Sequence, residues 1–146
     1  MRMHRGLSLA ALAALALASG GADLRAAQDH HHGEAFVKCA KVCADCQVEC
    51  SSCFHHCARM VIEGKKEHAK TMALCTDCAE CCALAAKLSA RQGPLAVMAC
   101  ENCAKCCDEC AAACEKFKDD KHMAHCAKTC RDCAKACREM VKHAKH

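Results

Sequence analysis

One residue type stands where an ordinary helical protein would place leucine. Cys39, Cys43, Cys46, Cys50, Cys53 and Cys57 follow one another at steps of 4, 3, 4, 3 and 4, the seam of a helix that packs in a bundle. Phe36 and Met60 extend the seam at its two ends, and much of the remainder of the segment is Ala, Lys, Asp, Glu and Gln. Met123, Cys126, Cys130, Cys133, Cys137 and Met140 repeat the pattern, as do Cys100, Cys103, Cys107, Cys110, Cys114 and Phe117. His68, Cys75, Cys78 and Cys82 form a sparser fourth seam, with Cys81 and Cys106 beside the seams and widening them. The pattern predicts four helices.

Boundary signals place them. Segment A runs from about Glu34 to Glu63 and stops at Gly64. Segment B runs from about Lys65 to Arg91 and stops at Gly93-Pro94. Segment C begins at Pro94, a favourable first helical residue, and ends near Phe117. Segment D follows Asp119 or Asp120, either of which can cap a helix. The helix interiors hold neither Pro nor Gly. The connections are short, which favours antiparallel neighbours. The expected fold is therefore all-α, an antiparallel up-down-up-down four-helix bundle with a Cys-lined core. The segments are also internal copies. Cys39-Ala-Lys-Val-Cys-Ala-Asp-Cys46 returns as Cys126-Ala-Lys-Thr-Cys-Arg-Asp-Cys133, and Cys75, Cys78, Cys81 and Cys82 match Cys100, Cys103, Cys106 and Cys107.

The first residues read differently. Arg2 and Arg5 precede an unbroken Leu, Ala and Ser run from Leu7 to Ala18, then Ser19, Gly20, Gly21 and Ala22. This is the order of a secretory signal peptide, expected over 1–22 with cleavage after 18 or 22. The apolar run is too short to span a bilayer, which takes about 20 residues. Residues 23–33, with His30, His31 and His32, are expected to be a flexible lead-in to a bundle domain over 34–146. The mature chain would be periplasmic or extracellular, with no membrane association after cleavage.

Composition sharpens the picture. From Asp23 onward there are only five Leu, one Ile, six Val and three Phe, against 20 Cys. So little aliphatic bulk would ordinarily mean disorder, yet the periodicity is strong, so Cys, Ala and Met must make the core. The net charge of +4 falls to +2 once Arg2 and Arg5 are removed. With neither Tyr nor Trp to stack a base, nothing points to nucleic acid. No Ser-His-Asp arrangement, phosphate loop or open metal triad is present, so no enzyme is expected.

Three readings compete for the thiols. Cysteine can serve as a small hydrophobe, but twenty with almost no leucine would pack poorly. A disulfide-stabilised structural bundle suits an exported chain with an even count. However, residues at i and i+4 on a helix have Cβ atoms about 5–6 Å apart, against the roughly 3.5–4.5 Å of a disulfide. The third reading is metal. Bonds of about 2.3 Å place two sulfurs roughly 4–4.6 Å apart, which an i, i+4 pair can meet. All twenty, Cys39, Cys43, Cys46, Cys50, Cys53, Cys57, Cys75, Cys78, Cys81, Cys82, Cys100, Cys103, Cys106, Cys107, Cys110, Cys114, Cys126, Cys130, Cys133 and Cys137, are then candidate ligands.

Thiolates select Cu(I), Zn(II) or iron–sulfur clusters. The seams carry no Lys or Arg, so the metal must neutralise the thiolates. Roughly one Cu(I) per thiolate does so, whereas Zn(II) on four thiolates leaves about −2 at each site. Zinc or cadmium buffering in the manner of a metallothionein is the alternative. Cys100-x2-Cys103-x2-Cys106-x3-Cys110 meets a ferredoxin spacing, but it lies inside a helical seam and has no counterpart in segment B. Thioethers favour Cu(I). The A–B and C–D connections share one end of such a bundle, where Met60, His68, Met72, Met123 and His125 gather with His122 as candidate ligands for copper passing inward. Phe36, Leu88, Met98, Met140, His143 and His146 fall at the other end.

The CxxxC and CxxC steps on all four segments, as in Cys39-x3-Cys43-x2-Cys46-x3-Cys50, resemble the bacterial four-helix-bundle copper storage proteins over about Glu34 to His146. The signal peptide makes the exported branch the nearer likeness. That resemblance implies a non-catalytic store of multiple Cu(I) ions, Met and His near one open end, a copper donor or acceptor as partner, and a homo-oligomer such as the tetramers of some members. Exported members often carry a twin-arginine signal, and here Arg2 and Arg5 are not adjacent.

Overall fold

The computed structural model describes the backbone of residues 20–145 and the side chains of 33–145. Four helices occupy it: α1 (Gly20–Ile62), α2 (Ala69–Ala90), α3 (Ala96–Cys114) and α4 (Lys121–Ala144), with a single 3-10 turn at Lys66–His68 before α2. Each helix packs on the next and α4 returns to α1, so α1 faces α3 across the core and α2 faces α4. Among the described residues no helix is long and apolar enough to cross a membrane.

Sulfur contacts give the register. Adjacent helices pair with nearly constant sums of residue number, as in Cys75·Cys110, Cys78·Cys107 and Cys82·Cys103, so they run antiparallel. Across the diagonal the difference is constant instead: Cys39 meets Cys100 and Cys53 meets Cys114, so α1 and α3 run parallel. This is the expected up-down-up-down bundle.

The helix ends follow from local chemistry. At the end of α1 the Gly64 N–H donates to Val61 O and the Lys65 N–H to Met60 O. That closure needs a left-handed residue, and Gly64 supplies it with φ of 91°. The end of α2 closes in the same way, through Gln92 N–H to Ser89 O and Gly93 N–H to Leu88 O. Here the left-handed residue is Gln92, with φ of 49°, and the helix stops just before Gly93-Pro94 as expected. Pro94 does not open α3. It lies in the turn that Ala96 N–H closes on Gly93 O, and the helix starts two residues later. The C-terminus of α3 is Cys114, with Phe117 in the following turn.

One further boundary differs from expectation. Helix α1 begins at Gly20 and not near Glu34, so residues 23–33, expected as a flexible lead-in, are helical. No proline interrupts Ala22 to Glu34, and a helix once nucleated propagates back through such residues at little cost per residue. The expected signal peptide lies, apart from Gly20–Ala22, outside the described residues.

Asp120 caps α4 as anticipated. Its Oδ1 accepts from the N–H of His122 at 2.9 Å and Met123 at 3.2 Å, while Oδ2 accepts from His56 Nε2 of α1 at 2.7 Å. Burial works to raise this carboxyl, and His56 with the two backbone donors overcomes it and holds it low. Replacing Asp120 with alanine is expected to lower stability by about 1–2 kcal/mol, read by chemical denaturation of the metal-free protein. Asp120→Asn should recover much of the loss, since it keeps an accepting oxygen.

Candidate metal centre

The seams meet on the bundle axis. Eighteen of the twenty cysteines are buried and Cys81 and Cys106 are half-buried, and all twenty are free thiols. The spacing between sulfurs is regular. Within helices, Cys39–Cys43, Cys46–Cys50, Cys78–Cys82 and Cys103–Cys107 lie at 3.9, 4.0, 4.0 and 3.9 Å. Between helices, Cys43–Cys137 is 3.5 Å, Cys50–Cys130 3.6 Å, Cys82–Cys103 3.6 Å and Cys133–Cys43 3.7 Å. Cys39 and Cys100 join at one end, 3.7 Å apart. At the other end Cys53 and Cys57 each donate to the Met123 sulfur at 3.7 Å. The sulfurs therefore form one column through the core.

Small residues make that closeness possible. Ala85, Ala104, Ala111 and Ala134 are buried among the cysteines, so the helices approach without aliphatic bulk between them. The fourth seam, sparse in sequence, continues as Ala85 and Ser89. Ser89 is fully buried, with Oγ 3.3 Å from Cys100 Sγ. Sequence reasoning passed over Ser89, yet stepping on from Cys82 by three and four residues reaches it.

Groups of four thiols can each surround an ion: Cys43, Cys103, Cys133 and Cys137; Cys46, Cys78, Cys82 and Cys107; Cys46, Cys50, Cys78 and Cys130; Cys50, Cys110, Cys126 and Cys130; and Cys53, Cys75, Cys114 and Cys126, with sulfurs all within 4.8 Å of one another in each group. Adjacent groups share members, such as Cys46, Cys50, Cys126 and Cys130. Isolated tetrahedral zinc sites would compete for these sulfurs, while bridging Cu(I) uses the sharing.

The electrostatics agree with this. The buried polar residues among those described are His68, Thr71 and Ser89, with no Lys, Arg, Asp or Glu, so no protein cation balances the thiolates. Neighbouring thiols balance each other instead. Cys103 is drawn down chiefly by S–H donation from Cys107, and Cys107 is pushed up chiefly by Cys103. Cys78 is lowered to about 7, led by Cys107 and against burial. Cys57 falls to about 3 through Cys53 and Cys75, with His68 adding to the effect against burial. Each thiolate is held by the S–H groups around it, and those donors stay protonated. Metal binding releases their protons.

The remaining candidate ligands divide. Met123 is fully buried against the column, Met60 nearly so, and Met72 packs half-buried on the core. The Met60 sulfur lies 3.4 Å from Lys65 Nζ. His68 is buried, its ring stacked on Phe117 at 3.9 Å, so the two connections meet over the end of the column. His125 is exposed, with Nε2 3.6 Å from Glu49, and does not reach the thiols. His56 stacks on His122 at 4.7 Å. Glu49, His56 and Asp120 gave no periodic signal, because they flank the seam. At the opposite end a cleft of about 290 Å³ between α1 and α4 reaches Cys39, beside Met140 and His143.

A four-helix bundle whose core is a column of free, shared, uncompensated thiols is a container for soft metal ions. The family model described as copper storage protein matches residues 26–142, and the chain belongs to that family. The Cu(I)-bound copper storage protein 3 of Bacillus subtilis is 34% identical, with a TM-score of 0.66 over 71% of this chain and 95% of the other. Its metal-free form is 35% identical, with a TM-score of 0.64 over 71% and 96%. A crystal structure of a Nitrosospira multiformis protein is 31% identical, with a TM-score of 0.53 over 72% and 96%. No curated protein matches. The function is storage of copper, with multiple Cu(I) ions as cargo in the clustered thiols.

Proposed function

We propose that the buried cysteines are the copper ligands, at roughly one Cu(I) per core thiolate, and that the chain is a reservoir and not a catalyst. The observation that carries this reading is the column of sulfurs, 3.5–4.0 Å apart in its contacting pairs and within 4.8 Å across its shared four-thiol groups, with no charged residue buried among those described. A carrier passing on single ions needs two or three thiolates at the surface. Here eighteen are buried. The signal-like first residues support work outside the cytoplasm, in the periplasm or beyond, exchanging copper with a donor or acceptor.

The test is a Cu(I) titration of the reduced mature protein against a coloured Cu(I) chelator, with helix content followed by circular dichroism. Copper withheld from the chelator to roughly one ion per core thiol, with the helices intact, supports the reading. Saturation at one or two ions sinks it.

The loop end is the proposed point of admission. Met60, Met72 and Met123 offer neutral thioethers there, and Met123 contacts both Cys53 and Cys57, so an ion on its sulfur is already beside the column. Replacing all three with leucine keeps volume and hydrophobicity and removes the soft donors. Loading is expected to slow several-fold with final capacity nearly unchanged. An unaltered stopped-flow loading rate would place admission elsewhere, with the Cys39 cleft as the alternative.

A further inference from the structure

Cys81 and Cys106 stand apart from the other thiols. They are the two half-buried cysteines, and among the described residues each has the other as its only hydrogen-bonding partner. Their sulfurs are 2.9 Å apart, whereas the core pairs lie at 3.5–4.0 Å. They occupy matched positions in the two inner sequence copies. In the antiparallel α2–α3 register, beside Cys82·Cys103 and Cys78·Cys107, they fall on the outer rim of the interface, with the column on its inner side. We propose that Cys81 and Cys106 form a disulfide that latches α2 to α3 under oxidising conditions, and that they are not part of the copper column.

Geometry separates the two fates. A two-coordinate ion with metal–sulfur bonds of about 2.3 Å spreads its sulfurs to as much as about 4.6 Å, so copper would have to push this pair apart by more than 1 Å. A disulfide of about 2.05 Å asks the pair to close by less than 1 Å. The objection that applies to i, i+4 pairs is absent, because the two thiols sit on different helices. Partial exposure lets an oxidant reach them, while burial and bound copper shield the rest.

The oxidant is a small-molecule disulfide. One thiolate of the pair attacks a sulfur of RSSR, forming a mixed disulfide and expelling one RS⁻. The second protein thiolate then attacks the protein sulfur of that mixed disulfide and expels the other RS⁻. The two protons lost by the cysteines end on two RSH, and the protein is oxidised by two electrons. The product pins the α2–α3 interface without taking a ligand from the core, so an exported chain can be oxidised at its surface and still hold Cu(I) within.

The experiment uses the Cu(I)-loaded full chain treated with oxidised glutathione. Copper is then removed anaerobically in the presence of an alkylating reagent, and the digest is read by mass spectrometry. The expected result is one crosslinked peptide pair joining Cys81 to Cys106, two hydrogens lighter than the reduced pair, with the other eighteen cysteines alkylated. The double variant Cys81→Ser/Cys106→Ser should lack the crosslink and retain the full copper capacity of the reduced wild type. Oxidation is expected to raise the unfolding midpoint of the copper-free protein by several degrees, roughly 5–10 °C, and the variant should show no such rise. Alkylation of Cys81 and Cys106 along with the rest overturns the proposal. So does a variant that binds fewer ions than the reduced wild type, which would make the pair copper ligands. A protein that binds little copper fails the storage reading without touching this one, since the Cys81–Cys106 peptide is still read directly.

Discussion

Loading with Cu(I) is expected to raise the midpoint of thermal unfolding by more than about 20 °C. A ligand that binds only the folded state adds about 2.7 kcal/mol per site when its free concentration is a hundredfold above the dissociation constant. In a domain of this size about 1 kcal/mol moves the midpoint by a few degrees, so even ten filled sites exceed the total of about 5–15 kcal/mol typical of a folded domain. The metal-free core has little to set against this. Its largest fully buried side chains are Met123 and Met140, and the rest are mostly Cys and Ala, which bury little apolar area each. Calorimetry on loaded and chelator-stripped protein is the measurement. A shift under about 5 °C would mean that copper sits at the surface or binds the unfolded chain equally well.

The second large effect concerns sharing. Exchanging Cys46, Cys50, Cys107 and Cys130 for alanine removes four sulfurs from the middle of the column. Three of the four-thiol groups lose two or three members each, which leaves Cys78, Cys82, Cys110 and Cys126 with fewer partners. Copper capacity is expected to fall by about six to eight ions and not by four, because a sulfur without partners holds Cu(I) weakly. Each exchange also leaves a small void, so the metal-free variant should lose a few kcal/mol of stability while staying helical. Capacity is read by copper analysis after chelator challenge. A loss of four ions would mean that each thiolate holds its ion independently, contrary to the bridged arrangement.

Much of this was readable in the residues. The steps of three and four carried the seam, and the structure places Cys39 to Cys57 in the core on one face of α1. Gly64 and Asp120 end and begin helices where their chemistry requires. The misplaced boundaries have local causes. Pro94 lies in the turn before α3 and not at its first residue, because the Ala96 N–H closes on Gly93 O and the helix starts two residues later. Helix α1 runs back through 23–33 because polar composition alone does not stop a helix.

The candidate site was legible in the same uneven way. His68 and Met123 reach the end of the column as their seam positions suggested, whereas His125, one residue before Cys126, points to Glu49 at the surface. A helical turn of 3.6 residues separates neighbours sharply between inside and outside. A ligand type near the right end of a helix is therefore not enough.

What periodicity and spacing settle is the set of helices, their antiparallel order and the residues that face inward, because 3.6-residue geometry and short connections leave few alternatives. What only the packed bundle decides is which sulfurs meet. Cys39 finds Cys100 and Cys53 finds Cys114 across the diagonal, Cys46 and Cys130 are shared between groups, and Cys81 and Cys106 close on each other outside the column. These contacts depend on how deeply buried alanines let four helices approach and on the rotation of each about its axis. Both are properties of the assembled core, not of any one segment.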